Sequence, residues 1–268
     1  MEMSELFSVR GKRVVVTGGT SGIGLMIARA FVENGASVLI SSRKAEACAS
    51  VAEELSRVGE CVAVPEDLSS EEGCRRLADA VEERWDALDV LVNNAGATWG
   101  APLEDHDARA WDRVLNLNVQ GVFHLTRFLR PLLDASVGGE PPHADPARVI
   151  NVGSIDGLRV SGMETYSYSA SKAGVHHLTR HLAWDLSPRI TVNAIAPGPF
   201  QSRMMAATLE AQGEWIAQRA PMRRIGGEED MAGVSLYLAS RAASYVTGAV
   251  IPVDGGLSTC LASWSNAP

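Results

Sequence analysis

The chain of 268 residues lacks the features that would tie it to nucleic acid, a membrane or an oxidising compartment. Its 24 Lys and Arg are outnumbered by 32 Asp and Glu, for a formal net charge of -8. Binding a phosphate backbone needs clustered cations, so no nucleic-acid partner is expected. No run reaches the ~18 consecutive apolar residues of a membrane span, and the opening MEMSELFSVRGKR lacks the apolar stretch of a secretion signal. A cytoplasmic protein without a membrane partner is expected. Cysteine is scarce: Cys48, Cys61, Cys74 and Cys260 stand apart, with neither a C-x-x-C pair nor metal-ligand spacing. That pattern argues against a disulfide framework and against zinc.

What is present is alternation. From Arg13 onward, short β-branched runs take turns with longer amphipathic stretches: RVVVT and a helix to about Asn34, then SVLIS and a helix over Glu46 to Arg57. CVAVP, LDVLVN, RVINVGS, ITVNAIAP and AVIPV continue the series to about residue 253, with helical patterns between them. Strands this continuously apolar suit a sheet covered by helices on both faces, and each crossover is long enough to hold one. The expectation is a single α/β domain, doubly wound around a mostly parallel seven-stranded sheet. The Gly- and Pro-rich stretch ASVGGEPPHADPA, residues 135–147, is expected to be an exposed loop before the fifth strand.

RVVVT runs directly into GGTSGIG and a helix, which puts Gly18, Gly22 and Gly24 at a strand-to-helix turn. Glycine lets backbone approach a pyrophosphate there, and the free N–H groups and dipole of the helix favour the negative charge. The spacing departs from the G-x-G-x-x-G fingerprint, so a tight turn without ligand is the plain alternative. The second strand ends at Ser41 and Ser42, where an NAD enzyme usually offers a carboxylate to the adenosine ribose. Arg43 and Lys44 follow instead, and a guanidinium can hydrogen-bond a 2′-phosphate. Cations at a helix N-terminus oppose its dipole, so a ligand would give at least one of them a reason to be there. NADP(H) is expected over NAD(H); the alternative is a solvated pair of cations.

NNAG, Asn93 to Gly96, follows the fourth strand, and NVGS, Asn151 to Ser154, closes the fifth. Open parallel sheets bind ligands at such C-terminal ends. Tyr168 lies fourteen residues past Ser154 and Lys172 follows at i+4, so on a helix the phenol and the ammonium share a face. A free phenol, with a pKa near ~10, exchanges protons poorly at neutral pH. A positive charge ~4 Å away is worth roughly 4 kcal/mol at an effective dielectric of ~20, or about three pKa units before desolvation. Lys172 is therefore expected to bring Tyr168 into working range. Tyr166 competes for the role but has no Lys at i+4, and Asn116 competes with Asn118, which the N-x-x-G pattern through Gly121 favours. His177 and His181 are also four apart, but HLTRH holds no acidic ligand, so no metal site is expected.

TGGTSGIG, NNAG, Asn118, Ser154 and Tyr168-x-x-x-Lys172 occur together and in order, and over nearly the whole chain this resembles the short-chain dehydrogenase/reductase family. The resemblance implies one Rossmann-fold domain over residues 1–268, hydride transfer between a nicotinamide and a carbonyl/alcohol pair, and a homotetramer. It implies Tyr168 as general acid for reduction or base for oxidation, with Lys172 lowering its pKa and holding the nicotinamide ribose. Ser154 would hydrogen-bond the carbonyl oxygen and Asn118 would organise a proton-relay water. Around the cofactor it implies Gly18, Thr20, Ser21, Gly22, Ile23 and Gly24, then Ser42 and Arg43, then Asp67 and Leu68 near the adenine. Asn93, Ala95 and Gly96 would line the cofactor, and Pro197 and Gly198 would pass beside the nicotinamide. Ser202 stands where the family commonly has a Thr against the carboxamide, keeping the hydroxyl and losing the methyl.

Residues 199–227 fall where the family's substrate-covering segment varies. Phe200, Met204, Met205 and Trp215 are expected either to form an apolar, adaptable lid or to pack on the protein itself. KAEACA, EDLSS, NVGSI and APGPFQSRM resemble the β-ketoacyl reductases associated with rhamnolipid biosynthesis, which in turn resemble the 3-oxoacyl carrier-protein reductases. A 3-oxoacyl thioester is the expected substrate and acyl carrier protein a candidate partner, although family resemblance carries chemistry better than substrate. An NAD(H)-dependent alcohol, sugar or steroid dehydrogenase is the runner-up. Enoyl reductases of the family usually space Tyr and Lys wider, and epimerases need a larger C-terminal region than the about 12 residues after Gly256. A non-catalytic nucleotide sensor would be expected to lose Tyr168 or Lys172.

Overall fold

The apolar runs that alternate along the sequence lie side by side in the computed structural model, which describes residues 2–139, 145–202 and 205–260. After a short helix α1 (Met3–Leu6) come β1 (Arg13–Thr17), α2 (Gly22–Glu33), β2 (Ser37–Ser42), α3 (Ala45–Leu55), β3 (Cys61–Pro65), α4 (Glu71–Arg84) and β4 (Val90–Asn93). The second half adds α5 (Ala108–Leu115), α6 (Val122–Ser136), β5 (Ala147–Val152), α7 (Tyr166–Leu186), β6 (Ile190–Pro197), α8 (Ala206–Arg219), α9 (Glu228–Ala239) and β7 (Val250–Val253). The strands form one sheet in the order β3-β2-β1-β4-β5-β6-β7. Every pairing is parallel, so the sheet is wholly rather than mostly parallel.

β1 shows why the sheet is covered on both sides. Val14 and Val16 point into a cluster with Ile27 and Phe31 of α2 and Met231 and Leu238 of α9. Val15 points the other way, towards Leu77 of α4, Leu125 and Leu129 of α6 and Leu182 of α7. All three valines are fully buried, and each contributes roughly 1.5–3 kcal/mol. The chain winds outward from β1 to β2 and β3, then returns to β4 on the other side of β1. The crevice beyond the carboxyl ends of β1 and β4 is the topological switch point where such sheets bind ligands.

Helix starts differ in a way that matters for that crevice. Ser70 caps α4 by accepting from Gly73 N at 3.1 Å, and Asp107 caps α5 by accepting from Ala110 N at 3.1 Å. The α2 N-cap, Ser21, makes no such side-chain bond. Between α5 and α6 the backbone widens into a π-helical segment, Asn116–Gly121. Such segments are rare and cluster at functional sites.

Boundaries moved where neighbours extend or cut an element. The expected loop at 135–147 is shorter, because Ala135 and Ser136 end α6 and Ala147 opens β5; residues 140–144 lie outside the described residues. β5 stops at Val152, which leaves Gly153 and Ser154 in the loop beyond the sheet.

Candidate active site

At the end of β1 the chain turns under β2, with Gly18 N donating to Ser41 O at 2.7 Å. Gly18 has φ +66°, and a Cβ there would come 2.7 Å from Asn94 Nδ2. Asn94 fills that side of the loop by donating to Thr17 O at 2.8 Å. Gly22 has φ +54° and opens α2 opposite Ser202, whose Cβ would lie 3.0 Å from a Cβ at Gly22. Ser202 is thus brought over the glycine loop from a distant part of the chain. With no side-chain cap on α2, the first-turn N–H groups of Gly22, Ile23 and Gly24 face the crevice without a capping oxygen. An anion such as a pyrophosphate fits that cradle.

Thr20 Oγ donates to Ser42 Oγ at 3.1 Å, which joins the glycine loop to the end of β2. Arg43 and Lys44 beyond it are exposed, and among the described residues neither forms an ion pair. Asp67 turns its carboxylate onto Ser69 N at 3.0 Å, and Leu68 is buried beneath it. The Asn93 amide is spent inside the protein, donating to Asn151 Oδ1 at 2.9 Å and Thr126 Oγ at 3.1 Å. Ala95 and Gly96 carry their backbone onward along the crevice. Gly198 N donates to Val253 O at 3.0 Å, which holds the Pro197–Gly198 turn against β7.

At the other end of the crevice, residues from four segments converge. Asn118 is buried in the π segment, whereas Asn116 pairs with exposed Gln120. Asn118 Oδ1 accepts from Ala97 N at 2.8 Å, and its Nδ2 donates to Ala97 O and Ser171 Oγ, both at 2.9 Å. A Cβ at Gly96 would stand 3.3 Å from Asn118 Oδ1 and 3.7 Å from Lys172 Nζ, so β4's loop, the π segment and α7 meet there. Lys172 is buried, donates to Val152 O at 2.7 Å and lies 5.6 Å from the Tyr168 ring centroid. Ser154 is buried and accepts from Asp156 N at 3.1 Å. Tyr166 instead turns outward and meets His106 edge-on, with ring centroids 5.3 Å apart.

The electrostatics correct one expectation. Burial pushes the Tyr168 phenol up to about 12; the Asp156 charge adds to this, and the Ser154 hydroxyl opposes it. Burial alone brings the Lys172 ammonium down to about 8. Lys172 therefore does not pull Tyr168 into the neutral range in this arrangement. The i+4 spacing put both groups on one face, but it could not show that Nζ is turned onto Val152 O or that desolvation exceeds the Coulomb gain.

The segment after Pro197 divides. Phe200 belongs to the core: it is buried, with its ring packed where a Cβ at Gly226 would be, so it is not part of a lid. Met205 is half-buried, and Met204 lies outside the described residues. Trp215 is 53% exposed on α8, with the Arg219 guanidinium 3.9 Å from its ring centroid. His177 and His181 are exposed, 6.4 Å apart by ring centroid, and among the described residues no cluster of ligating side chains could hold a metal ion.

Sequence reasoning passed over Thr17. Its Oγ accepts from Asn94 N and Ala95 N, both at 2.9 Å, and pins the NNAG turn to β1. It also passed over Asn151, which links Asn93 to Thr179 of α7, and His176, buried behind Ser154. Thr17 closes RVVVT and Asn151 opens NVGS, so both sat inside quoted motifs; His176 carried no signal beyond its i+4 spacing from Lys172.

A glycine cradle at the switch point, with a Ser just past β5 and a Tyr and Lys on α7 converging beside it, defines a dinucleotide-dependent oxidoreductase of the open α/β class. A family model described as enoyl-(acyl carrier protein) reductase matches residues 18–258. The rhamnolipids biosynthesis 3-oxoacyl-(acyl-carrier-protein) reductase of Pseudomonas aeruginosa is 48% identical over 261 residues, covering 95% of this chain and 99% of that protein. The 3-oxoacyl-(acyl-carrier-protein) reductase FabG of Thermotoga maritima is 35% identical, covering 93% and 98%. A solved structure described as the Pseudomonas aeruginosa RhlG/NADP active-site complex superposes with a TM-score of 0.90 at 47% identity, covering 96% of this chain and all of that one. The chain belongs to the short-chain dehydrogenase/reductase family.

Proposed function

We propose that this protein is an NADP(H)-dependent ketoreductase that reduces the 3-oxo group of an acyl thioester. The observation that carries the reading is the convergence of Ser154, Tyr168, Lys172 and Asn118 at the end of the glycine-lined crevice. NADP(H) rather than NAD(H) is supported by exposed Arg43 beyond Ser42, with no acid at the strand end, and by the NADP in the similar structure's description. The thioester is supported by the names of two relatives. Among the described residues no helix is long and apolar enough to cross a membrane.

The residues present fit the cofactor, whose bound nicotinamide supplies the hydride. Gly18, Thr20, Ser21, Gly22, Ile23 and Gly24 would receive the pyrophosphate, and Ser42 and Arg43 the adenosine ribose with its 2′-phosphate. Asp67 and Leu68 would face the adenine, and the backbone of Asn93, Ala95 and Gly96 would line the middle. Pro197 and Gly198 would pass beside the nicotinamide, Ser202 over the glycine loop would offer its hydroxyl to the carboxamide, and Lys172 would hold the ribose. The Ser154 hydroxyl donates to the substrate carbonyl oxygen and fixes its direction. Tyr168, kept protonated by burial well above neutral pH, donates its proton to that same oxygen as it gains charge. Asn118 holds the Ala97 backbone and would organise a relay water beside Lys172.

A homotetramer through α6 and α7 goes with this reading, since Phe123 and Trp184 stand 40% and 85% exposed on those helices. So do a cytoplasmic setting and an acyl-carrier-protein-borne substrate. The family model's description points to enoyl reduction instead, but the three residues between Tyr168 and Lys172 and the relatives' names favour the keto group. The test is steady-state turnover of 3-oxoacyl thioesters, their 2-enoyl counterparts and simple ketones with NADPH and with NADH. Tyr168→Phe should bind NADPH as the wild type does and lose about 10²–10⁴-fold in turnover. Preference for NADH, faster enoyl turnover, or an active Tyr168→Phe chain would each overturn the corresponding part.

A further inference from the structure

On α7, Lys172 and His176 lie one turn apart on the buried side: Lys172 bonds Val152 O, and His176 comes next along the helix. His176 is 2% exposed, and its ring lies against the Gly157 backbone. The ring's shape fits what surrounds it. A Cβ at Gly153 would overlap the ring, coming 2.7 Å from Cδ2, and a Cβ at Gly157 would come 2.8 Å from Cε1. The ring therefore occupies space that the missing side chain of Gly153 leaves open, while Gly157 lacks one first for the α7 backbone, where a Cβ would come 2.7 Å from Lys172 C and 2.8 Å from Ala173 N. Gly153 and Gly157 are the two ends of the short segment that carries Ser154. Gly153 is tied to β6 through Ile195 O at 2.7 Å, and Gly157 N bonds Ser154 O at 3.0 Å, so the segment is closed on itself with the imidazole as its floor.

We infer that His176 is a positioning residue for catalysis, a wedge between Gly153 and Gly157 that sets the direction of the Ser154 hydroxyl and hence of the substrate carbonyl. The inference rests on Ser154 being the carbonyl-binding hydroxyl of the proposed reaction. The ring works as a neutral body: burial first, and then the Lys172 charge, holds its pKa down to about 4. It touches neither substrate nor cofactor and acts through the backbone it supports. Gly153 and His176 form a matched pair, in which the absence of one side chain makes room for the other.

Matched pairs have a distinctive signature in a double-mutant cycle. His176→Ala removes the wedge, and kcat is expected to fall about 10–100-fold, the scale of a small misplacement of a reacting group. The KM for NADPH should stay at the wild-type value, because the glycine cradle lies elsewhere. Gly153→Ala drives a methyl into the imidazole and should also lower kcat. The double variant Gly153→Ala/His176→Ala gives that methyl the vacated space and is expected to recover kcat above either single variant. Should the His176→Ala chain not fold, Gly153→Ala and the double variant carry the same comparison. Melting temperature is recorded for each chain, since a purely structural role would lower stability while leaving kcat per folded molecule unchanged. A folded His176→Ala chain with wild-type kcat, or losses in the double variant equal to the two single losses combined, overturns the inference. Ser154→Ala serves as the control for the underlying reading. If it keeps full activity, the role of Ser154 fails; if it is inactive while His176→Ala is unimpaired, only the wedge fails.

Discussion

Thr17→Val tests whether the NNAG turn is held by one oxygen. Thr17 is 2% exposed at the end of β1, and valine copies its shape. The substitution removes an acceptor used by Asn94 N and Ala95 N at 2.9 Å each, and a weaker 3.3 Å donation to Val92 O. A buried donor left without a partner costs about 1–3 kcal/mol, and these two N–H groups belong to half-buried residues, so roughly 2–4 kcal/mol in total is expected. For a domain of this size that corresponds to a fall in Tm of about 5–10 °C. Thr17→Ser keeps the oxygen and loses only a methyl, worth ~1 kcal/mol. Because Ala95 and Gly96 line the crevice, the Val chain should also bind NADPH more weakly than the Ser chain. Thermal unfolding and titration of NADPH fluorescence measure both effects. A Val chain that melts no lower than the Ser chain would show that the oxygen does not hold the turn.

Three further outcomes are expected. Arg43→Ala should weaken NADPH binding by about 1.5–3 kcal/mol, the scale of a charged hydrogen bond, and leave NADH binding unchanged; equal effects on the two cofactors would remove the 2′-phosphate role. In the unfolded chain His176 takes up a proton near its ordinary 6.5, but in the folded chain only near about 4, so its protonation draws the chain towards unfolding as pH falls from 6.5 to 4. The stability lost across that window is about 3 kcal/mol, and it should be absent from His176→Leu in urea unfolding series at several pH values. If Trp215 covers an acyl chain, kcat/KM should rise with chain length by up to ~0.8 kcal/mol per buried CH₂. Trp215→Ala should flatten that rise more than it lowers turnover of a short ketone, and a profile flat in the wild type would exclude the cover.

Much of this molecule was legible because its signals are local. RVVVT, SVLIS and ITVNAIAP are apolar on both faces, which in a chain of alternating elements has one economical solution, a parallel sheet with helices on each side. The crossovers are long enough for helices, and the glycines after β1 could only be a tight turn into α2. Tyr168 and Lys172 stand one helical turn apart, so their shared face follows from the geometry of any helix. Strand ends were harder to place, because β4 and β5 stop where neighbours cease to pair rather than where hydrophobicity ends.

The sequence by itself determined the fold class, the crevice at the strand ends and the residue types brought to it, because each depends on periodicity and spacing along a few consecutive residues. Tertiary structure decided what those residues do to one another. That Lys172 Nζ bonds Val152 O while lying 5.6 Å from the Tyr168 ring, and that burial pushes the phenol up to about 12, depend on segments that meet only in the fold. Phe200 went into the core because Gly226 offered its ring a place, and His176 went under the Ser154 segment because Gly153 lacks a side chain. The π segment at Asn118 likewise reflects bonds to Ala97 and Ser171, 21 and 53 residues away. Desolvation and close packing are set by atoms that meet only when the chain has folded, and no local pattern records them.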